Sequence, residues 1–176
     1  MKILVMVDFQ NDYIYGCMTI PNIRAIVPSV KARVDKAREN KEMVIFTQNT
    51  HDEDNYLESL EWGLIPFSHC VYGTKGWNII PELENEASLC VFTPTFGSFD
   101  LINRIRTIVD AFNEMPEIEI CGTLLSTNVM ANAVLLRAGF PNAEITVNLG
   151  LSADLDESYI QAAKVIFKRQ QIEVIE

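Results

Sequence analysis

Short runs of apolar, mostly β-branched residues alternate along the chain with stretches in which apolar residues return every three or four positions. The runs Ile3–Val7, Met43–Thr47, Leu89–Phe92, Glu117–Cys121, Ile145–Asn148 and Ile172–Ile175 read as strands. Most are apolar at nearly every position, as strands covered on both faces must be. Between them Ala25, Val30, Val34 and Ala37 recur at helical spacing up to Lys41. A second helix is predicted from about Ser98 to Phe112, with Leu101, Ile105, Ile108 and Val109 inward and Ser98 as N-cap. A third runs from about Thr127 to Ala138 and stops at Gly139, with Pro141 beyond it. The fourth spans about Asp154 to Arg169, and Asp154 or Asp156 suits its positive end. Strands that alternate with helices build a parallel sheet with crossover connections. The expected fold is therefore α/β and three-layered, Rossmann-like, with a six-stranded, mainly parallel sheet and helices on both faces. With no repeat or linker, residues 1–176 are expected to form a single domain.

One stretch breaks the alternation. Gln48 to Trp77 is far longer than an ordinary connection, and loops of that size in compact domains are usually functional. In open parallel sheets, ligands bind outside the carboxyl ends of the strands, where strand order reverses. Three segments deliver polar residues to that edge: Asp8 to Asp12, Asn49-Thr50-His51, and Gly122 to Asn128. Asp8 follows five apolar strand residues, so burial can raise its pKa and suit it to proton transfer. It can equally be a turn aspartate tied to local amides, and Asp12 is read that way. His51 and His69, the two histidines of the chain, share the long loop, with Asn49 two residues before the first. They can hold a divalent metal such as zinc, or bond the loop to itself. Glu61 is the nearest extra carboxylate to such a site, and is read as a structural acceptor for loop amides. Cys70, beside His69, is read as a buried thiol, because adjacent side chains rarely point at one spot.

Composition narrows the partners. The 176 residues are 48% hydrophobic and 22% charged, with 14 Lys and Arg against 24 Asp and Glu, a net charge of −10. Affinity for nucleic acid comes from cations that displace counterions, so nucleic acid and anionic membranes are excluded as expected partners. The four cysteines show no CxxC spacing. They are expected to be reduced thiols in a cytoplasmic protein, with Cys90 and Cys121 pointing into the core. The apolar run at residues 2–7 is too short for a signal segment or a membrane span.

Taken in order, several motifs resemble the isochorismatase-like superfamily of hydrolases, which includes nicotinamidases and related cysteine amidases. Val7-Asp8-Phe9-Gln10-Asn11-Asp12-Tyr13 is similar to its first-strand motif with the catalytic aspartate. Thr47-Gln48-Asn49-Thr50-His51 resembles its Thr-Arg/Lys-Asp-x-His metal segment. Residues 66–77 are close to its Pro-x-x-His-Cys-x-x-Gly-Thr-x-Gly signature. Phe96-Gly97-Ser98-Phe99 follows the pattern after its lysine, and Cys121-Gly122 with Ala131-Asn132-Ala133 corresponds to the segment that carries its nucleophile.

The resemblance implies an Asp–Lys–Cys triad in which aspartate serves as base, lysine lowers the thiol pKa and the thiolate attacks an amide carbonyl. It also implies a cis peptide bond near Thr123–Leu124. Position by position the aspartate is Asp8, the lysine position holds Thr93 and the cysteine position holds Asn128. The first metal ligand, an aspartate in the family, corresponds to Asn49, while His51 and His69 remain. An amide side chain cannot form an acyl-enzyme, and threonine cannot supply the charge that stabilises a thiolate. No register slip restores the triad, because no Lys lies between Lys75 and Lys164 and no Cys follows Cys121.

The leading expectation is thus a family member that binds a small amide or nicotinamide-like metabolite without cysteine catalysis. Phe9, Tyr13, Thr123, Leu124 and Asn128 are its candidate ligand contacts, with Trp62, Trp77 and Phe96 as further walls or simply core. Two alternatives stand beside it: a hydrolase that works through Asp8 or a metal-bound water, and a structural or regulatory subunit. The resemblance also implies a homo-oligomer, a dimer or tetramer.

Overall fold

The computed structural model describes residues 1–84 and 89–176. Six strands form one sheet: β1 (Lys2–Val7), β2 (Met43–Asn49), β3 (Leu89–Thr93), β4 (Glu117–Gly122), β5 (Glu144–Asn148) and β6 (Glu173–Ile175). Their order is β3-β2-β1-β4-β5-β6, and all five pairings are parallel. The chain starts at the centre, winds to one edge, returns and winds to the other. The reversal falls between β1 and β4, where the ends of two strands leave a crevice.

The apolar strand pattern explains the two core layers. Along β1, Ile3, Val5 and Val7 face one side, while Leu4 and Met6 face the other, and all five are fully buried. The first layer is closed by α4 (Phe99–Phe112), α5 (Met130–Gly139) and α6 (Glu157–Arg169) through Leu101, Ile105, Ala133, Leu136, Ala163 and Phe167. The second is closed by α2 (Ile23–Glu39) through Ile23, Val27, Val30, Val34 and Ala37, together with Ile80 and Leu83. Each such side chain contributes roughly 1.5–3 kcal/mol when fully buried.

Several expected boundaries shift. The helix expected from Thr127 divides into a π-helical turn over Leu125–Val129 and α5 behind it. Asp156 caps α6 by accepting from Ser158 N–H, whereas Asp154 accepts from Ser126 and Leu155 N–H and so holds the π turn. Cys121 is buried as expected. Cys90 is exposed, a correction: β3 is an edge strand, and the face on which Cys90 and Phe92 stand is only partly covered, by Tyr72 and Trp77 against Phe92. All four cysteines are free.

The long stretch after β2 is also more ordered than expected. It contains a short helix, α3 (Glu53–Tyr56), and a 3-10 turn at Glu61–Gly63. A bridge between His51 and Val71 and another between Gln10 and Ile79 pin it to the carboxyl end of the sheet. Between β1 and α2 the chain adds a further short helix, α1 (Asn11–Ile14). Among the described residues, no helix is long and apolar enough to cross a membrane.

Candidate active site and metal centre

The crevice brings Asp8 and Asn128 together from opposite sides of the strand reversal. Asp8 follows β1 directly and takes a left-handed backbone (φ 55°), which a short polar side chain tolerates better than a bulky one. Its Oδ1 accepts from Thr47 Oγ1 at 2.6 Å, and its Oδ2 accepts from Asn128 Nδ2 at 2.7 Å. Thr123 Oγ1 donates to the Asp8 carbonyl at 2.9 Å. The residue is 2% exposed, and burial pushes its carboxyl pKa up to about 6. The hydrogen bonds from Thr47, Asn128 and the main chain of Asn49 pull the other way and do not overcome it.

The opposite wall is built by close backbone approach. Gly122 has φ +145°, and a Cβ there would lie 2.1 Å from the Val7 carbonyl oxygen, so only glycine fits. The next peptide bond, Thr123–Leu124, is cis. The π turn follows at once, anchored by Leu125 N–H on the Ala153 carbonyl and by Ser126 N–H on Asp154 at 2.6 Å. Asn132 Nδ2 donates to the Asn128 carbonyl, and its oxygen accepts from Ser98 N–H, which ties α4 to the same turn. Thr93, at the end of β3, is 2% exposed and donates to the Gln48 carbonyl at 3.2 Å. Thr93 and Asn128, the residues expected at the triad's lysine and cysteine positions, are bonded to main chain and to Asp8 respectively.

The histidines meet across the long loop. Their ring centroids are 4.8 Å apart, and Glu61 Oε1 lies 3.9 Å from His51 Nε2 and 3.5 Å from His69 Nε2. One ligand atom from each of the three residues falls within 4.8 Å of the others. Glu61 therefore stands with the histidines and is not the loop-amide acceptor expected from its sequence position. Asn49 is 2% exposed; its Nδ2 donates to the Tyr13 hydroxyl at 2.8 Å, and Tyr13 sits edge-on to His69. Among the described residues His51 Nε2, His69 Nε2 and Asn49 Oδ1 are buried without a hydrogen-bond partner. Leaving three such atoms bare costs on the order of 1–3 kcal/mol each. A divalent cation would satisfy lone-pair donors of this kind, and two imidazoles, a carboxylate and an amide oxygen form a set that suits zinc or a neighbouring metal. Burial, opposed by Glu61 and reinforced by His69, holds the His51 pKa below its ordinary value, which favours the neutral ligand form.

Other candidates settle elsewhere. Phe9 is fully buried in the α2-side core, in one cluster with Leu4, Met6 and Ile14. Thr123 is buried beside Asp8, and Leu124 is buried in the α2-side core. Cys70 is fully buried, and its thiol is pushed well up by burial and then by the charges of Asp8 and Asp12, the opposite of an activated nucleophile. Asp12 accepts from Cys70 N–H at 2.7 Å, so its partner is distant in sequence and not the local turn expected. Gln10 had no assigned role from the sequence, yet its amide clamps Asn49 from both sides, accepting from its N–H and donating to its carbonyl, each at 2.8 Å.

Comparison with known proteins places this geometry. The family model described as the isochorismatase domain matches residues 2–147. The chain belongs to the isochorismatase family. Solved structures agree in fold along its whole length. A pyrazinamidase of Pyrococcus horikoshii in complex with zinc superposes with a TM-score of 0.82 at 22% identity, covering 99% of this chain and 98% of that one. A Bacillus subtilis nicotinamidase gives 0.82 at 20% identity and 99% coverage of both chains. An N-carbamoylsarcosine amidase from Thermoplasma acidophilum gives 0.78 at 19% identity, covering 98% and 94%. At these identities the likeness establishes the isochorismatase-family fold and no particular activity. A search of curated proteins finds no match.

Proposed function

We propose that this isochorismatase-family protein is a metal-bearing, non-hydrolytic binder of a small amide or nicotinamide-like metabolite. The observation that carries this reading is the 2.7 Å hydrogen bond from Asn128 to Asp8. A carboxamide nitrogen donates its protons and offers no lone pair for attack on a carbonyl, so the position opposite the acid holds no nucleophile. Asp8 is in turn committed to Asn128 and Thr47, which makes it a fixed acceptor in a buried polar wall with Thr123. His51, His69, Glu61 and Asn49 would hold the metal. A divalent ion there supplies an electrophilic anchor for a ligand lone pair. Tyr13 orients Asn49 from behind, and Gln10 fixes the strand end that presents it.

Calorimetry and thermal shift against nicotinamide and related amides, with and without Zn²⁺ or Mn²⁺, test this directly. The expected outcome is ligand-induced stabilisation that needs the metal, with no ammonia released. Metal-dependent amide hydrolysis abolished by Asp8→Asn would overturn it in favour of a second reading. In that reading Asp8, with its pKa near 6, moves a proton for a water-based hydrolysis. No response to any metabolite or metal would point to a structural or regulatory subunit.

A further inference from the structure

The loop that carries Glu61 has its amphipathic pattern inverted. From Asp52 to Ile65 the chain runs in successive helical turns: α3, then turns closed by Ser59 N–H on the Tyr56 carbonyl, Gly63 N–H on Leu60 and Ile65 N–H on Glu61. A surface helix ordinarily turns its apolar residues inward and its charges outward. Here the inward positions hold Tyr56, buried against His51 and His69, Trp62, which packs on Tyr56, and the carboxylate of Glu61. The leucines stand outside: Leu57 is 51% exposed, Leu60 97% and Leu64 84%. Spaced i, i+3 and i+7, they form one row on the outer side of the turns. Large apolar side chains that the fold leaves together in water mark a contact surface.

Charge on the same row decides what covers it. Glu53 and Asp54 lie four and three positions before Leu57 and so neighbour it on its own side, and Glu58 follows it directly. All three are exposed, and among the described residues none of them meets a cation. No Lys or Arg occurs between Lys41 and Lys75. A second copy of the row is a poor match: laid parallel it sets acid against acid, and laid antiparallel it sets Glu53 and Asp54 on Leu64. An anionic lipid surface is repelled by the same acids. The row fits its opposite, a surface with apolar side chains at matching intervals and cations at one end. Side chains spaced i, i+3 and i+7 form the kind of ridge that packs beside another helix.

We infer that the outer face of residues 53–64 is a docking surface for a basic amphipathic helix of a partner protein. The apolar stripe of that helix covers Leu57, Leu60 and Leu64, and its lysines or arginines pair with Glu53, Asp54 and Glu58. The inference rests on the exposure and charge of this loop and is independent of the proposed metal and metabolite.

Fluorescence anisotropy with the full chain and a labelled synthetic helix tests it. The probe has about 18 residues, leucines at i, i+3, i+4 and i+7 and lysines on the flanks. One control peptide scrambles its sequence, and another replaces each lysine with glutamate. The lysine helix is expected to bind with a micromolar Kd and the scrambled peptide at least about 10-fold more weakly. Leu60→Ser with Leu64→Ser should weaken binding at least about 10-fold, the scale of interface anchors, while Val165→Ser, at a residue 64% exposed on α6, leaves it unchanged. Glu53→Lys with Asp54→Lys should weaken the lysine helix and tighten the glutamate helix, and Glu58→Lys should act in the same direction. Circular dichroism confirms that each variant is folded. A lysine helix that binds no tighter than its scrambled form, an affinity indifferent to the leucine variant, or charge variants that do not shift the preference would overturn the inference. So would self-association of the wild type, seen by sedimentation and lost in the leucine variant, because the row would then belong to a second copy.

Discussion

Asp8 is buried as a charge at neutral pH, and the chain loses stability for holding it. Its pKa rises from 3.8 to about 6 on folding. Between those values the native state keeps a proton that the unfolded chain has released, so stability falls as pH rises through the interval. The stabilising effect of the protonated form is fully present below 3.8 and lost above about 6. At about 1.36 kcal/mol per pKa unit, the loss amounts to about 3 kcal/mol. Asp8→Asn removes the charge and keeps the shape. Thr47 can still donate to the oxygen of the introduced carboxamide. Asn128 must turn its amide so that its oxygen meets the new NH₂, and the Thr127 hydroxyl, which in the wild type donates to that oxygen, turns away. That rearrangement costs about 1 kcal/mol, one neutral hydrogen bond. The variant should therefore be less stable than wild type by about 1 kcal/mol near pH 4 and more stable by about 2 kcal/mol near pH 8. Urea unfolding of both proteins in chelator-containing buffer measures this, and differences taken at equal pH cancel the titration of the other carboxylates. A difference that is flat across this range, or that falls with rising pH, refutes the reasoning.

Asn49→Asp should tighten Zn²⁺ binding by at least about 10-fold in calorimetry, because it adds an anion to the ligand set while the Tyr13 hydroxyl turns from acceptor to donor. Thr93→Lys combined with Asn128→Cys should give measurable nicotinamide hydrolysis and a thiol that reacts with iodoacetamide faster than exposed Cys17, while neither single variant does. A new thiol no faster than Cys17 in a folded double variant would show that residues 93 and 128 do not share one site with Asp8. Asp154→Ala strips the acceptor from Ser126 and Leu155 N–H and should cost about 1.5–3 kcal/mol in urea unfolding, with weaker ligand-induced stabilisation because the π turn is released.

Much of this was readable without coordinates. The near-continuous apolar runs and the helical spacings between them were enough for a parallel, doubly wound sheet, because strands buried on both faces leave no alternation and each crossover needs a helix. The motif order placed Asp8, Thr93, Asn128 and the two histidines at one edge, and the peptide bond before Leu124 is cis where the motif put it. Other features had no local signal. Glu61 is legible as a carboxylate near the histidines but reads as a loop-amide acceptor, because it resembles its acidic neighbours Asp52, Glu53, Asp54 and Glu58 and only the path of the loop turns it toward the histidines. Cys90 reads as buried in any strand, and it is exposed because β3 ends the sheet. Thr47 meets Asp8 through the register of β1 with β2, in which Val7 pairs with Thr47, and register is a property of two strands together.

The sequence by itself therefore determined the fold class and the family, and the expectation that Thr93 and Asn128 stand at the family's lysine and cysteine positions, since each rests on residue identity and spacing along one chain. Only the tertiary structure decided that Asn128 donates to Asp8 and that Glu61 joins His51 and His69. Those facts depend on which surfaces separate elements bring within hydrogen-bonding or van der Waals distance, and that is fixed by the packing of the whole sheet.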